Sequence, residues 1–112
     1  MGVENTWDQS VAKIGWTGSI GGASVAAGAS VTGTVVINGA SAVLGYNSAY
    51  DKPTGGTVQA SPSFAGGPGA GFQWTAYLHA TEVDTIVVEV QNCTAGALTP
   101  TAGVYSVTIL RF

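Results

Sequence analysis

DTIVVEVQN, residues 84–92, alternates so regularly that an extended chain is its simplest reading. Ile86, Val88 and Val90 share one face at the two-residue period of a β-strand, and Thr85, Val87, Glu89 and Gln91 share the other. Val87 is the only apolar member of the second set. One side of this strand therefore faces a core, and the other faces water or a neighbour.

Working outward, VYSVTILRF (104–112) sets Tyr105, Val107, Ile109 and Arg111 against Val104, Ser106, Thr108, Leu110 and Phe112. Neither set is wholly polar, which predicts contact on both sides. VTGTVVING (31–39) alternates in the same way and ends on Asn38-Gly39, a strong turn dipeptide that predicts a hairpin into SAVLGYN (41–47). Further strands are expected in SIGGASVAA (19–27), TVQA (57–60) and FQWTAYLHA (72–80), with a short one in SVAKIGW (10–16). Seventeen glycines, scattered among Val, Thr, Ile and aromatic residues, oppose helix throughout. Seven or eight short strands with Gly- and Pro-rich connections predict an all-β fold, an antiparallel β-sandwich or jelly roll. Residues 1–18 read as an N-terminal docking segment containing the short strand, and 19–112 as a single sandwich domain.

At 112 residues the chain can close one core. Charged residues are 8% and hydrophobic ones 46%, against about 25% charged in an average soluble domain. The surface must then be covered by Ser, Thr, Asn and Gly, or buried against copies or a partner. Net charge is −3, with Lys13, Lys52 and Arg111 the only cations, so no basic patch is available to neutralise nucleic acid. A single cysteine, Cys93, excludes an intrachain disulfide. No apolar run approaches the roughly 20 residues that cross a bilayer, and the sequence read from Met1 shows no signal peptide. MGVENT fits the N-myristoylation pattern, but no basic cluster or second acylation site accompanies it. A cytoplasmic product free of membrane is expected.

Catalytic chemistry finds little support. GGPGAGF (66–72) has the glycines of a phosphate loop but is followed by Gln73 and Trp74 where a Lys and Ser/Thr would be needed. It reads as a connection whose glycines supply positive φ angles. His79, the only histidine, rules out His-pair metal sites and reads as an edge or exposed residue. Asp84 and Glu89 lie an odd number of residues apart, which sends them to opposite faces, and Glu82 and Asp84 sit near a turn, so all three read as solvated charge. Asp51 alone in YDKPTGG is too few ligands for calcium. Asn92-Cys93-Thr94 fits a glycosylation sequon without a secretory signal to expose it to the machinery. No catalytic residue, cofactor or metal site is expected.

The three tryptophans are the most informative large residues. Trp7 reads as an interface anchor or as a cap packed over its own sandwich, and Trp16 and Trp74 as core residues. The run from SVAAGASVTGTVVINGASA to WTAYLHATEVDTIVVEVQNCTAGALTPTAGVYSVTILRF resembles small β-sandwich modules of tailed-bacteriophage virion proteins. The resemblance rests on Ala27-Gly28-Ala29-Ser30, Gly39-Ala40, Trp74 to Tyr77, Asp84-Thr85-Ile86, Asn92 to Ala97, Pro100 and Arg111, and covers about residues 19–112. The long loop 48–71 and the N-terminal segment depart from it.

What the resemblance implies is a non-enzymatic virion structural protein, most like a capsid decoration or cement protein. It would bind the major capsid protein on the exterior of the head, as a homodimer or homotrimer, after synthesis in the bacterial cytoplasm. Trp7, Val11 and Ile14 would form the docking arm, with Tyr46, Tyr50 and Phe64 as secondary contacts. The alternative is a receptor- or glycan-binding module of a fibre, using the aromatic loops NSAYDKP and GGPGAGFQW.

Overall fold

The computed structural model describes residues 12–44, 46–47, 52–53 and 55–111. The chain is mostly β, with strands β1 (Ala12–Ile20), β2 (Ser30–Val36), β3 (Tyr46–Asn47), β4 (Lys52–Pro53), β5 (Gly56–Pro62), β6 (Phe72–Leu78), β7 (Thr85–Asn92) and β8 (Gly103–Arg111). Among the described residues one short helix, α1 (Ala40–Leu44), lies between β2 and β3. Two three-stranded sheets, ordered β1-β8-β5 and β2-β7-β6, pack against each other, and β3 pairs with β4. Every pairing is antiparallel. This is the sandwich arrangement expected from the alternating segments.

β7 holds the centre of its sheet, in register from Ser30↔Gln91 to Val36↔Thr85 on one side and from Phe72↔Asn92 to Leu78↔Ile86 on the other. Ile86, Val88 and Val90 are at most 1% exposed and meet Tyr105, Val107 and Ile109 of β8, each 0% exposed, across the core. The two best alternating segments of the sequence are therefore the two central strands, where burial on the inner face selects apolar residues at every second position.

Two segments differ from expectation. SIGGASVAA is not a strand of its own: Ser19 and Ile20 end β1, Gly21 and Gly22 take φ of 113° and 90° and turn the chain out of it, and beyond them only Val25 bridges to Leu98. SAVLGYN does not form the return strand of a hairpin, because residues 40–44 coil into α1, which buries Ala40 and Val43. That three-residue spacing puts both on one helix face. Val43 lies where a side chain on Gly56 would have to be, so α1 seats on the start of β5.

The strand expected at 10–16 is β1, pairing with β8 from Ala12↔Leu110 to Ile20↔Gly103, so residues 12–18 belong to the sheet. Its register shifts between Trp16 and Ser19. Buried Thr17 sits in this bulge, and its hydroxyl oxygen accepts the Tyr105 N–H at 3.1 Å while donating to Gly18 O at 2.6 Å. The bulge thus gives the buried Tyr105 amide a side-chain acceptor. GGPGAGF is the β5–β6 connection, and Gly66, Gly67, Gly69 and Gly71 all take positive φ.

Candidate functional site

The period-2 rule gives the sheet β1-β8-β5 an outer face, and β1 makes part of it apolar. Lys13, Gly15 and Thr17 turn inward, which leaves Ile14 56% and Trp16 60% exposed on the outside. Gly15 faces in because Val35 and Ile37 already fill the space in front of it, about 3.0 Å from where a Cβ would lie. The cross-strand partners of Ala12, Ile14 and Trp16 are Leu110, Thr108 and Ser106, and β5 adds Thr57, Gln59 and Ser61 opposite the same three. Among the described residues no charged side chain stands on this face. An exposed indole and an isoleucine two residues apart, rimmed by hydroxyls and an amide, have the make-up of a protein-binding surface.

The expected docking residues are distributed differently. Ile14 is on this face, whereas Trp7, Val11 and Tyr50 lie outside the described residues. Tyr46 is on β3 opposite Pro53. Phe64 packs against the core, edge-on to Tyr105 with ring centroids 5.4 Å apart, in a slot kept open by Gly103, and keeps part of its surface exposed. Trp16, expected in the core, is the most exposed aromatic side chain of the face. Trp74 is 37% exposed and its indole N–H donates to Ala60 O at 3.1 Å, linking β6 of one sheet to β5 of the other. Alternation of Ile14 and Trp16 was the signal that joined them; which set turns inward depends on β2.

The acidic residues are held apart. Asp84 closes the end of the core instead of standing in solvent: its carboxylate accepts the Ser41 N–H at 2.9 Å, and its own N–H donates to Ser41 Oγ at 2.7 Å. Its φ of 55° is one that Asp tolerates better than most residues. The N–H groups of Ser41 and then Gly39 hold the Asp84 carboxyl below the ordinary carboxylate range against a smaller opposing effect of burial, with Lys13 helping. Because the folded-state value is depressed, the stabilisation is complete above the unfolded value of about 3.9 and is lost as pH falls through the lower folded value. Asp84→Ala should therefore lower stability by about 1 to 2 kcal/mol at pH 7, and urea titrations from pH 7 to 2 should show that gap closing below about pH 4. A gap that persists undiminished at pH 2 would show that the carboxylate is not the clamp.

Glu89 projects from the outer face of the other sheet, where it accepts the Ser30 hydroxyl at 2.7 Å and the Tyr77 hydroxyl. Burial first, and then the Glu89 charge and hydrogen bond, raise the Tyr77 phenol. His79 caps the β6–β7 turn: its Nδ1 accepts the N–H groups of Thr81 at 3.1 Å and Glu82 at 3.0 Å. That nitrogen is committed to the turn and is not poised to take a proton from a substrate. Among the described residues no three His, Cys, Asp or Glu side chains gather into a metal-binding group, and no helix is long and apolar enough to cross a membrane.

Asn92 is 0% exposed and its side chain is fully engaged, which is a different reason for its sequon to stay unmodified. Nδ2 donates to Val25 O and Gly96 O, both at 2.9 Å, while Oδ1 accepts from the Thr94 N–H at 2.9 Å and the Thr94 hydroxyl at 2.7 Å. Cys93 is exposed beside it. No protein-family model, curated protein or solved structure matches this chain.

Proposed function

We propose that this chain is a non-enzymatic virion structural protein of a tailed bacteriophage, a jelly-roll-like decoration or cement protein that binds the major capsid protein on the exterior of the head. The observation that carries the reading is the outer face bearing Ile14 and Trp16, 56% and 60% exposed, on which the described residues carry no charge. Burying an exposed indole in a partner's pocket gives large contact area at small entropic cost. Repetition over a symmetric shell multiplies a modest affinity, because each bound copy stabilises the assembled state over the parted one. A face without charge also suits a fixed structural contact better than a steered encounter.

Trp16→Ala tests this in a pelleting assay with purified expanded heads. The side chain is solvent-exposed, so folding stability should change by less than about 0.5 kcal/mol, while affinity for heads should fall about 30-fold. Unchanged affinity would remove this face from the docking role. Quantitative mass spectrometry of particles tests the reading itself: a copy number comparable to that of the shell protein is expected, and absence from particles would overturn it.

A further inference from the structure

We propose that two copies of this chain pair through β6, about a two-fold axis at Thr75, so that their β2-β7-β6 sheets become one continuous sheet. The inference stands on the hydrogen-bonding phase of β6. At the ends of the β6–β7 ladder, the His79 N–H donates to Thr85 O and the Cys93 N–H to Gly71 O, both at 2.8 Å. With the register fixed by Phe72↔Asn92 and Leu78↔Ile86, odd-numbered residues of β6 turn their backbone groups toward β7. Phe72, Trp74, Ala76 and Leu78 therefore turn N–H and C=O to the opposite edge. No strand among the described residues pairs there.

Proteins usually guard such an edge with a charge, a proline or a bulge. β1 has Lys13 and its bulge, and β5 ends on Pro62, whereas β2 (SVTGTVV) and β6 (FQWTAYL) contain none of these devices. A hollow of about 280 Å³ lined by Phe72, Gln73 and Trp74 opens along β6. Consecutive strand residues point to opposite faces, so a hollow touched by all three lies at the edge of the strand. Unpaired backbone groups at every second residue match another extended chain.

The sequence of β6 selects a second copy as that chain. An antiparallel pairing centred on Thr75 sets Trp74 against Ala76 and Phe72 against Leu78 of the second copy, two isologous pairs in which both residues carry edge-facing backbone groups. The indole meets a methyl group, and Leu78 of the second copy enters beside Phe72. On the outer face Gln73 meets Tyr77 and Thr75 meets itself, with no charge opposed to a like charge. A chain of net charge −3 needs such a segment to approach its own copy. β5, which lies over β6, is also uncharged. The pairing leaves the Ile14 and Trp16 face open and does not depend on its role.

Light scattering on the full chain at about 100 μM, tight enough for a low-micromolar dimer, should give the dimer mass, and the Phe72, Trp74, Ala76 and Leu78 amides should lose hydrogen-exchange protection on dilution to monomer. Two substitutions spare the ladder to β7. Ala76→Pro removes an edge-facing N–H, a position where strands accept proline, and Thr75→Lys sets two ammonium groups at the axis on an exposed site, where each faces Glu89 of its own chain across the ladder. Each should keep the wild-type circular dichroism and raise the dimer Kd about 100-fold, whereas Trp16→Ala should leave it unchanged. A monomer or a trimer at that concentration, or a dimer that survives both β6 substitutions, would overturn the proposal.

Discussion

Asn92→Ala is expected to lower the free energy of unfolding by about 3 to 4 kcal/mol, a large fraction of the 5 to 15 kcal/mol typical of a domain. The carboxamide makes four hydrogen bonds in a site closed to solvent, to Val25 O, Gly96 O, the Thr94 N–H and the Thr94 hydroxyl. Truncation strands these partners, and an unmade buried hydrogen bond costs more than a made one contributes. Backbone bonds converge on the same residue, since the Asn92 N–H donates to Ala29 O and its carbonyl accepts the Gly28 N–H, each at 2.9 Å. Asn92 thus fixes the loop after β7 to the segment before β2. Thr94→Val, which removes only the hydroxyl, should cost about 1 kcal/mol. Urea unfolding of the three proteins measures both, and a loss below 1 kcal/mol for Asn92→Ala would mean that the two loops are held by something else.

Tyr105 should respond with opposite signs to two substitutions. Its ring is 0% exposed, edge-on to Phe64 and 6.3 Å from the Trp74 ring, so Tyr105→Ala should cost about 3 to 5 kcal/mol, as for other large aromatic deletions. Its hydroxyl is buried without a hydrogen-bond partner among the described residues, and burial raises its phenol. Removing that group by Tyr105→Phe should leave stability unchanged or raise it by about 1 kcal/mol, seen as a Tm higher by roughly 4 °C. A Phe variant less stable by 1 kcal/mol or more would reveal a partner for the hydroxyl.

The central strands were legible because burial on one face writes itself into the sequence at period 2, and β7 and β8 carry that pattern over their full length. What the sequence hid depends on distant residues. Asn38-Gly39 signals a hairpin locally, yet Asp84 caps the following residues into α1 from far along the chain. Asn92 looks like a modification site until Val25 and Gly96 are brought to its amide. The alternation of Ile14 and Trp16 is plain, but only Val35 and Ile37 of the opposing layer decide that Gly15 turns in and the tryptophan out. Phe64 sits in a Gly-rich loop and reads as exposed, because the slot at Gly103 that receives it belongs to another strand.

The pairing of β1 with β8, Ala12 against Leu110, also sets the pace at which the protein acquires its shape. β6 and β7 meet across a short turn, Leu78 opposite Ile86, and can zip locally. The other sheet has no such hairpin: β8 is its middle strand, and both neighbours come from much earlier in the chain. Its closure pays the loop entropy of long-range contacts before any packing offsets it, which places folding in the slow range of milliseconds to seconds. During that interval β1 waits without a hydrogen-bonded neighbour, and the Trp16 stripe is a hazard for aggregation before it is a surface for binding.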